Sequence, residues 1–147
     1  LGKKLGKCKT HKQWLIGCEI EDIEKFIDSI KKENGDFKNT TVEYLGRNYG
    51  TEYDKVLKLA RQDKRLAEIV NDDGELLAQV VYAARHEMVR TLSDIVMRRT
   101  GIGTLGNPGK EVLERVAAVA ARELNWDGAR ISREIEEVER LLQLPKA

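Results

Sequence analysis

The segment ELLAQVVYAARHEM, residues 75–88, constrains the fold more than any other feature, because its side chains are almost continuously apolar. On a helix, these residues would cover most of the circumference rather than one stripe: Leu76, Leu77, Val80, Val81, Ala84 and Met88. A helix that is apolar nearly all round must be covered by protein on several sides. We therefore predict that residues 75–88 form the central helix of the molecule.

Amphipathic segments at helical spacing precede the central segment. They occupy residues 20–34, 40–50 and 51–63. Asn34-Gly35 is a typical helix stop. A threonine at positions 40–41 can cap the second helix, and Thr51 with Asp54 has the spacing of a capping box for the third. Residues 65–70 can add a short helical turn before the turn signal Asn71-Asp72-Asp73-Gly74.

Three further helices are predicted after the central segment. Thr91 and Asp94 have capping-box spacing and begin a short helix in LSDIVMRRT. After a glycine-rich turn, Asn107 as N-cap and Pro108 at the first helical position begin a long helix. Asp127 caps the last one, and Pro145 closes the domain.

The fold class that follows is all-α. A period-2 pattern typical of a strand is weakly present only at Trp14-Leu15-Ile16. With 147 residues, one domain is the expectation, and the low aromatic content of 5% suits helices packed by aliphatic side chains. We predict a compact bundle of about six or seven helices.

Composition excludes several classes of function. The formal net charge is +1, whereas proteins that bind nucleic acids usually carry a basic surplus, so no nucleic-acid partner is expected. The basic run LGKKLGKCKTHK is short and typical of a solvated tail. Two cysteines without a signal peptide favour a reducing, cytoplasmic setting. The chain begins without Met, and we interpret it as a piece of a longer protein.

The stretch GIGTLG, residues 101–106, has the glycine spacing of a dinucleotide-binding fingerprint. That fingerprint must follow a β-strand, and here the preceding residues are predicted to be helical. The neighbouring GNPGKE is not a P-loop, because Thr104 takes the place of the first glycine and Glu111 that of the Ser/Thr. We interpret the stretch as a flexible turn between helices, with Gly101 as the helix stop.

Metal and nucleophile sites are also unsupported by the sequence. Cys8, His11 and Cys18 lack a local fourth ligand for zinc, and His86 could supply one only through the fold. With two histidines, a cysteine nucleophile has little choice of base. We predict no metal site, no cofactor-binding site and no catalytic residue in this chain, and we interpret His86 as a hydrogen-bonding residue of its helix.

A charged cluster lies within and after the central segment: Arg85, Glu87, Arg90, Asp94, Arg98 and Arg99. Charges beside a buried helix must be paired or face a partner, because a lone buried charge is costly. One interpretation is an ion-pair network in which Glu87 or Asp94 binds the arginines. The other is a docking surface for another domain, where arginine can make bidentate contacts. The network is favoured, and it can serve both purposes.

Residues 78–101 also carry a recognisable pattern: an amide, then VVYA-R-E, then TL-D, then RRT. Its members are Gln79, Val80, Val81, Tyr82, Ala83, Arg85, Glu87, Thr91, Leu92, Asp94, Arg98, Arg99 and Thr100. The pattern resembles the C-terminal helical domain of FAD-dependent glycerol-3-phosphate dehydrogenases and the related glycerophosphate oxidases. Residues 44–63 and the run ELNWD with its final helix are similar as well. Gly101 departs from the family, in which a basic residue commonly follows RRT.

The resemblance implies a parent enzyme that oxidises sn-glycerol 3-phosphate to dihydroxyacetone phosphate, passing electrons to FAD and then to a quinone. It implies that residues 1–19 are the exit segment from an upstream flavin domain and that residues 20–147 are a helical cap. The expected partners are the upstream FAD-binding and substrate domains. The parent would be cytoplasmic and peripheral on the inner face of the cytoplasmic membrane, where it would meet the quinone. The isolated chain is expected to be inactive. The alternative is a stand-alone helical protein-interaction module.

Overall fold

The computed structural model describes residues 6–143, and these form an all-α fold. The helices are α1 (Ile23–Glu33), α2 (Asn39–Tyr49), α3 (Tyr53–Gln62), α4 (Leu77–His86), α5 (Leu92–Asp94), α6 (Lys110–Leu124) and α7 (Gly128–Leu141). Short 3₁₀ turns occupy Thr10–Lys12, Gly50–Glu52 and Lys64–Ala67. The prediction of an all-α bundle is confirmed. The expected boundary at Pro145 and parts of the predicted segments 1–19 and 20–147 lie outside the described residues.

Helix α4 is central, as its sequence predicts. Every residue from Leu77 to Ala83 is buried, and α4 packs against both α3 and α6. It separates two apolar clusters, one formed mainly with α1, α2 and α3 and the other with α5, α6 and α7. The helix ends earlier than expected, at His86. Met88 has a positive φ of 58° and is 87% exposed, so its predicted place on the apolar face is wrong.

The helix starts show which capping predictions hold. Thr91 Oγ1 accepts from Asp94 N, and Asp127 caps α7 by accepting from Arg130 N at 2.7 Å, so both predictions are confirmed. The other three are wrong: Thr40 and Thr41 lie inside α2, α3 begins at Tyr53, and α6 begins at Lys110. Asn107 Oδ1 instead accepts from Gly109 N, which closes a turn directly before the helix.

The short helix α5 continues as a turn of π-helix over Ile95–Arg99. Thr100 closes this turn, because its N–H and its hydroxyl both donate to the Ile95 carbonyl. A π-turn inserts an extra residue into the helical repeat and occurs often at functional sites. Here it carries the two arginines of the RRT motif, Arg98 and Arg99.

Residues 6–143 contain no sheet. An isolated bridge between Ile69 and Leu76 is the only strand-like pairing in this range. Trp14, Leu15 and Ile16 are not part of a strand, so the weak strand candidate is wrong. No helix in the described range is long and apolar enough to cross a membrane.

Candidate functional site

A solvent-open cleft of about 870 Å³ lies between α2, the turn before α4, the end of α4 and the segment that follows the π-turn. We refer to it as the cleft. Its walls combine apolar and polar surface and carry charges of both signs, and they include residues from the stretch 78–101: Gln79, Glu87, Arg98, Arg99, Thr100 and Gly101. The other lining residues are Thr40, Glu43, Tyr44, Arg47, Asn48, Tyr49, Asp72, Asp73, Thr104 and Leu105.

A buried carboxylate, that of Glu75, organises the base of the cleft. Its Oε1 accepts from the Tyr44 hydroxyl at 2.7 Å and from the Gly101 N–H at 2.6 Å. Its Oε2 accepts from Asn71 Nδ2 at 2.6 Å, and the Glu75 N–H donates back to Asn71 Oδ1. Glu75 has no solvent exposure, yet each carboxylate oxygen is satisfied. The residue therefore ties α2, the turn before α4 and the glycine loop together.

Burial sets the acidity of this group. It raises the pKa of the Glu75 carboxyl, and the hydrogen bonds from Tyr44, Gly101 and Asn71 offset the rise in part. Burial and the neighbouring Glu75 also raise the pKa of the Tyr44 hydroxyl well above its ordinary range. The tyrosine consequently stays protonated and remains a donor to Glu75 across the physiological range.

The stretch 101–106 is a turn between helices, as the sequence predicts, and Gly101 makes specific contacts within it. Besides its bond to Glu75, its N–H points at the Tyr44 hydroxyl oxygen at 3.1 Å. A Cβ at this position would lie only 2.5 Å from that oxygen. Any larger residue would have to displace Tyr44 or the loop. The departure from the family pattern at Gly101 is thus accompanied by a close contact rather than by open space.

Glu87 and Arg99 are oppositely charged residues in the wall of the cleft. Glu87 is half-buried, and its Oε2 is inaccessible to solvent without a hydrogen-bond partner among the described residues. Burial raises its pKa, and the charges of Arg99 and His86 oppose that rise. Arg99 is exposed and makes no ion pair within the described range. A buried acceptor without a donor costs free energy, so this wall favours an incoming donor.

Tyr49, in α2, contacts other elements that line the cleft. Its hydroxyl donates weakly to the Arg99 carbonyl at 3.5 Å and accepts from Gln79 Nε2 at 3.3 Å. Its ring meets that of Tyr82 edge to face, with ring centres 5.4 Å apart. The side chain of Tyr49 therefore connects α2 to α4 and to the π-turn.

The remaining charged residues of the predicted cluster do not meet in one network. Arg85 forms a bidentate pair with Glu123 of α6 at 2.7 and 2.8 Å. Asp94 pairs with Arg98 at 3.3 Å within one turn and also accepts from the backbone N–H of Arg90. Three separate arrangements thus replace the single network considered above: a helix-to-helix pair, a local pair and the charges in the cleft.

Two buried carboxylates were missed by reasoning from sequence. Glu75 lies next to an acidic turn and resembles a surface residue, but it is the first residue of the most apolar segment, and this position was the available signal. Glu134 of α7 is also buried; its Oε2 accepts from Leu92 N at 2.7 Å and its Oε1 pairs with Arg130 at 2.5 Å. It therefore caps α5 from another helix.

The described residues do not fit a bound dinucleotide such as FAD. The GIGTLG loop follows a π-turn and not a strand, and the Gly101 N–H that could meet a phosphate already donates to Glu75. Asp72 and Asp73 also line the small hollow beside the loop, where they would repel an anion. We therefore assign no chemical step involving FAD to this chain.

The metal candidates from the sequence are likewise not assembled. No group of three or more histidine, cysteine, aspartate or glutamate side chains in residues 6–143 could hold a metal ion. Cys8 contacts Thr10 at 2.9 Å and Cys18 is exposed. The ring of His86 contacts that of Tyr82 in a tilted arrangement, with ring centres 4.9 Å apart and an angle of 40° between the ring planes.

Comparison with known proteins places this geometry in a family. The chain is 27% identical, over 99% of its length, to the mitochondrial glycerol-3-phosphate dehydrogenase SDP6 of Arabidopsis thaliana. It is 25% identical over 86% of its length to a probable mitochondrial glycerol-3-phosphate dehydrogenase of Dictyostelium discoideum, and 27% identical over 88% to the glycerol-3-phosphate dehydrogenase of Synechocystis sp.. The alignments cover 25%, 21% and 24% of these relatives, so the chain spans about a quarter of their length. No solved structure matches it.

A family model matches most of the chain, from residue 8 to residue 131. Its description is the C-terminal domain of alpha-glycerophosphate oxidase. The matched range includes the whole of α1 to α6, the buried Glu75 and every residue that lines the cleft. The chain therefore belongs to the family of the C-terminal domain of alpha-glycerophosphate oxidase.

Proposed function

We propose that this chain is the C-terminal helical domain of an FAD-dependent glycerol-3-phosphate dehydrogenase. The parent protein oxidises sn-glycerol 3-phosphate to dihydroxyacetone phosphate, and electrons pass from FAD to a quinone. The domain contributes docking onto the upstream FAD-binding and substrate domains rather than chemistry. Relatives that are named glycerol-3-phosphate dehydrogenases, and that are about four times as long as the matched region, support the parent's dehydrogenase activity.

The observation that carries the docking role is the buried, unpartnered oxygen of Glu87 in the wall of the cleft. A carboxylate oxygen shielded from water is costly unless a donor reaches it. The cleft is open to solvent, and Arg99 on the same wall has no partner in the described range. If the Glu87 side chain turns toward the open cleft, a donor from an upstream domain can reach its carboxylate while an acceptor from the same domain pairs with Arg99.

The position of the charges also supports docking over catalysis. Arg98 and Arg99 extend from a π-turn whose end is fixed by Thr100 and Gly101, so their backbone is held while their side chains remain exposed. Arginine in such a position suits bidentate contacts with carboxylates of a partner. We propose that the isolated chain is inactive, and that the parent is cytoplasmic and peripheral at the inner face of the membrane.

The docking proposal is tested with Glu87→Gln and Arg99→Ala in the full-length parent protein. Both variants should loosen the domain, so we expect faster proteolysis within it, weaker FAD retention and lower glycerol 3-phosphate oxidation. The matched controls are Glu136→Gln and Arg133→Ala, which are exposed on α7 and outside the cleft. The controls should behave like the wild type.

Two outcomes would contradict the proposal. One is that the cleft variants and the α7 controls give the same proteolysis rates, FAD retention and activity. The other is that the parent protein, purified with its flavin, does not oxidise glycerol 3-phosphate. If the cleft variants behave like the α7 controls and the chain is also stable on its own, the stand-alone interaction module would be favoured.

A further inference from the structure

Three consecutive large apolar side chains are exposed before α1. Trp14, Leu15 and Ile16 are 64%, 77% and 85% exposed. Single exposed apolar residues are ordinary, whereas a contiguous group of this size often marks an interaction surface. The three residues belong to residues 6–18, which we call the arm.

The arm is fastened to the helical body directly after the apolar group. The Gly17 carbonyl accepts from Thr51 N at 3.1 Å, at the corner between α2 and α3. Gly17 is buried with a φ of 86°, and a Cβ at Gly50 would lie 1.8 Å from the Gly17 oxygen. Both positions therefore require glycine, because the two backbones touch. This contact, which we call the glycine clasp, fixes where the apolar group projects.

The arm is basic as well as apolar. Lys7, Lys9 and Lys12 are exposed, and none of them forms an ion pair in the described range. The first acidic residue of the sequence is Glu19, after the arm. A surface that covers the arm should therefore be apolar at its centre and acidic at its rim.

The clasp also joins the arm to the cleft. A Cβ at Gly17 would lie 2.7 Å from the carbonyl oxygen of Tyr49, and Tyr49 is one of the residues that line the cleft. One partner could therefore contact the arm and the cleft together. The matched relatives are about four times as long as the matched region, and the family is described as a C-terminal domain. In the proposed parent protein, an upstream domain therefore adjoins the arm along the chain.

We propose that the arm is an interdomain contact in which Trp14, Leu15 and Ile16 pack against an apolar, acid-rimmed surface of the upstream domain. The proposal rests on the proposed function, since it needs a parent protein with that domain. The arm would be a second interdomain contact beside the one proposed for the cleft. The arm supplies apolar burial, while Glu87 and Arg99 supply hydrogen bonds.

Hydrogen exchange measured by mass spectrometry tests the arm, by comparing the 147-residue chain with the full-length parent. The N–H groups of Trp14, Leu15 and Ile16 donate no backbone hydrogen bond in the described structure, so they should exchange rapidly in the chain alone. In the parent they should exchange more slowly, by a factor of about ten or more. Peptides from the cleft report on the proposed function separately.

The double substitution Leu15→Glu with Ile16→Glu provides the second measurement. It should leave the melting temperature of the chain unchanged, because both side chains are exposed there, and should abolish the protection of the arm in the parent. Leu141→Glu, a half-exposed position on α7, is the control and should leave the arm protected.

Each outcome separates the two proposals. Equal exchange of the arm in chain and parent overturns the arm contact, and a protected cleft in the same data leaves the proposed function standing. Protection of the arm that appears only after addition of vesicles with anionic phospholipid also overturns it, because the occupant would then be a lipid surface. Protection in the parent without vesicles, lost in the double variant alone, supports the contact.

Discussion

Gly101→Ala should destabilise the chain although it adds a single methyl group. The new Cβ would lie 2.5 Å from the Tyr44 hydroxyl oxygen and 3.5 Å from both carboxylate oxygens of Glu75. Relief of this contact requires the loop or Tyr44 to move, and either movement lengthens the 2.6 Å bond from the Gly101 N–H to Glu75. A hydrogen bond to a charged group contributes about 1.5–3 kcal/mol, and the weaker bond to Tyr44 adds about 1 kcal/mol.

The expected loss in unfolding free energy is therefore about 2.5–4 kcal/mol. For a chain of this size, that corresponds to a melting temperature lower by about 5–15 °C. The assay is urea and thermal unfolding of the 147-residue chain, followed by circular dichroism at 222 nm. Gly128→Ala is the matched control, because a Cβ there meets nothing within 4 Å at the start of α7. It should be neutral or slightly stabilising.

A double-mutant cycle with Tyr44→Phe separates the close contact from other causes. Removal of the hydroxyl opens the space that the new methyl group needs, so Gly101→Ala should cost less in the Tyr44→Phe background, by about 1 kcal/mol or more. An equal cost in both backgrounds, or a cost no larger than that of Gly128→Ala, would refute this account of Gly101.

Two further predictions concern the buried carboxylates. Because the pKa of Glu75 is raised on folding, its contribution to stability is complete below its ordinary value of 4.5 and is lost as the pH rises through the folded pKa. Urea titrations should therefore show the wild type losing stability relative to Glu75→Gln as the pH rises from about 4; a constant difference would contradict the prediction. Glu134→Ala should lower the unfolding free energy by about 1.5–3 kcal/mol, because Leu92 N loses its acceptor and Arg130 its partner. In chemical denaturation, exposed Glu136→Ala should change it little.

Local patterns in the sequence predict the helices well, and contacts across the chain explain the errors. The apolar residues of α4 and the caps at Thr91 and Asp127 act within a few positions, so they can be recognised from spacing alone. The start of α6 is displaced to Lys110 because Asn107 closes a turn of its own with Gly109.

The cleft could be predicted only in part. The sequence singles out Glu87 and Arg99 through their motif, but no spacing rule relates Glu75 to its two distant partners. Tyr44 lies 31 positions before Glu75, and Gly101 lies 26 positions after it. Such a network is produced by the packing of α2, α4 and the loop, and it becomes visible only when all three are in place.

The two apolar clusters on either side of α4 have a consequence for how the chain unfolds. Val80 and Val81 belong to one cluster, while Ala78 and Tyr82 of the same helix belong to the other. If α4 detaches, both clusters lose the packing contacts that α4 provides at the same time, so neither half can persist as a folded fragment. We expect a single cooperative transition, and a protease that cuts within α4 should release no stable half.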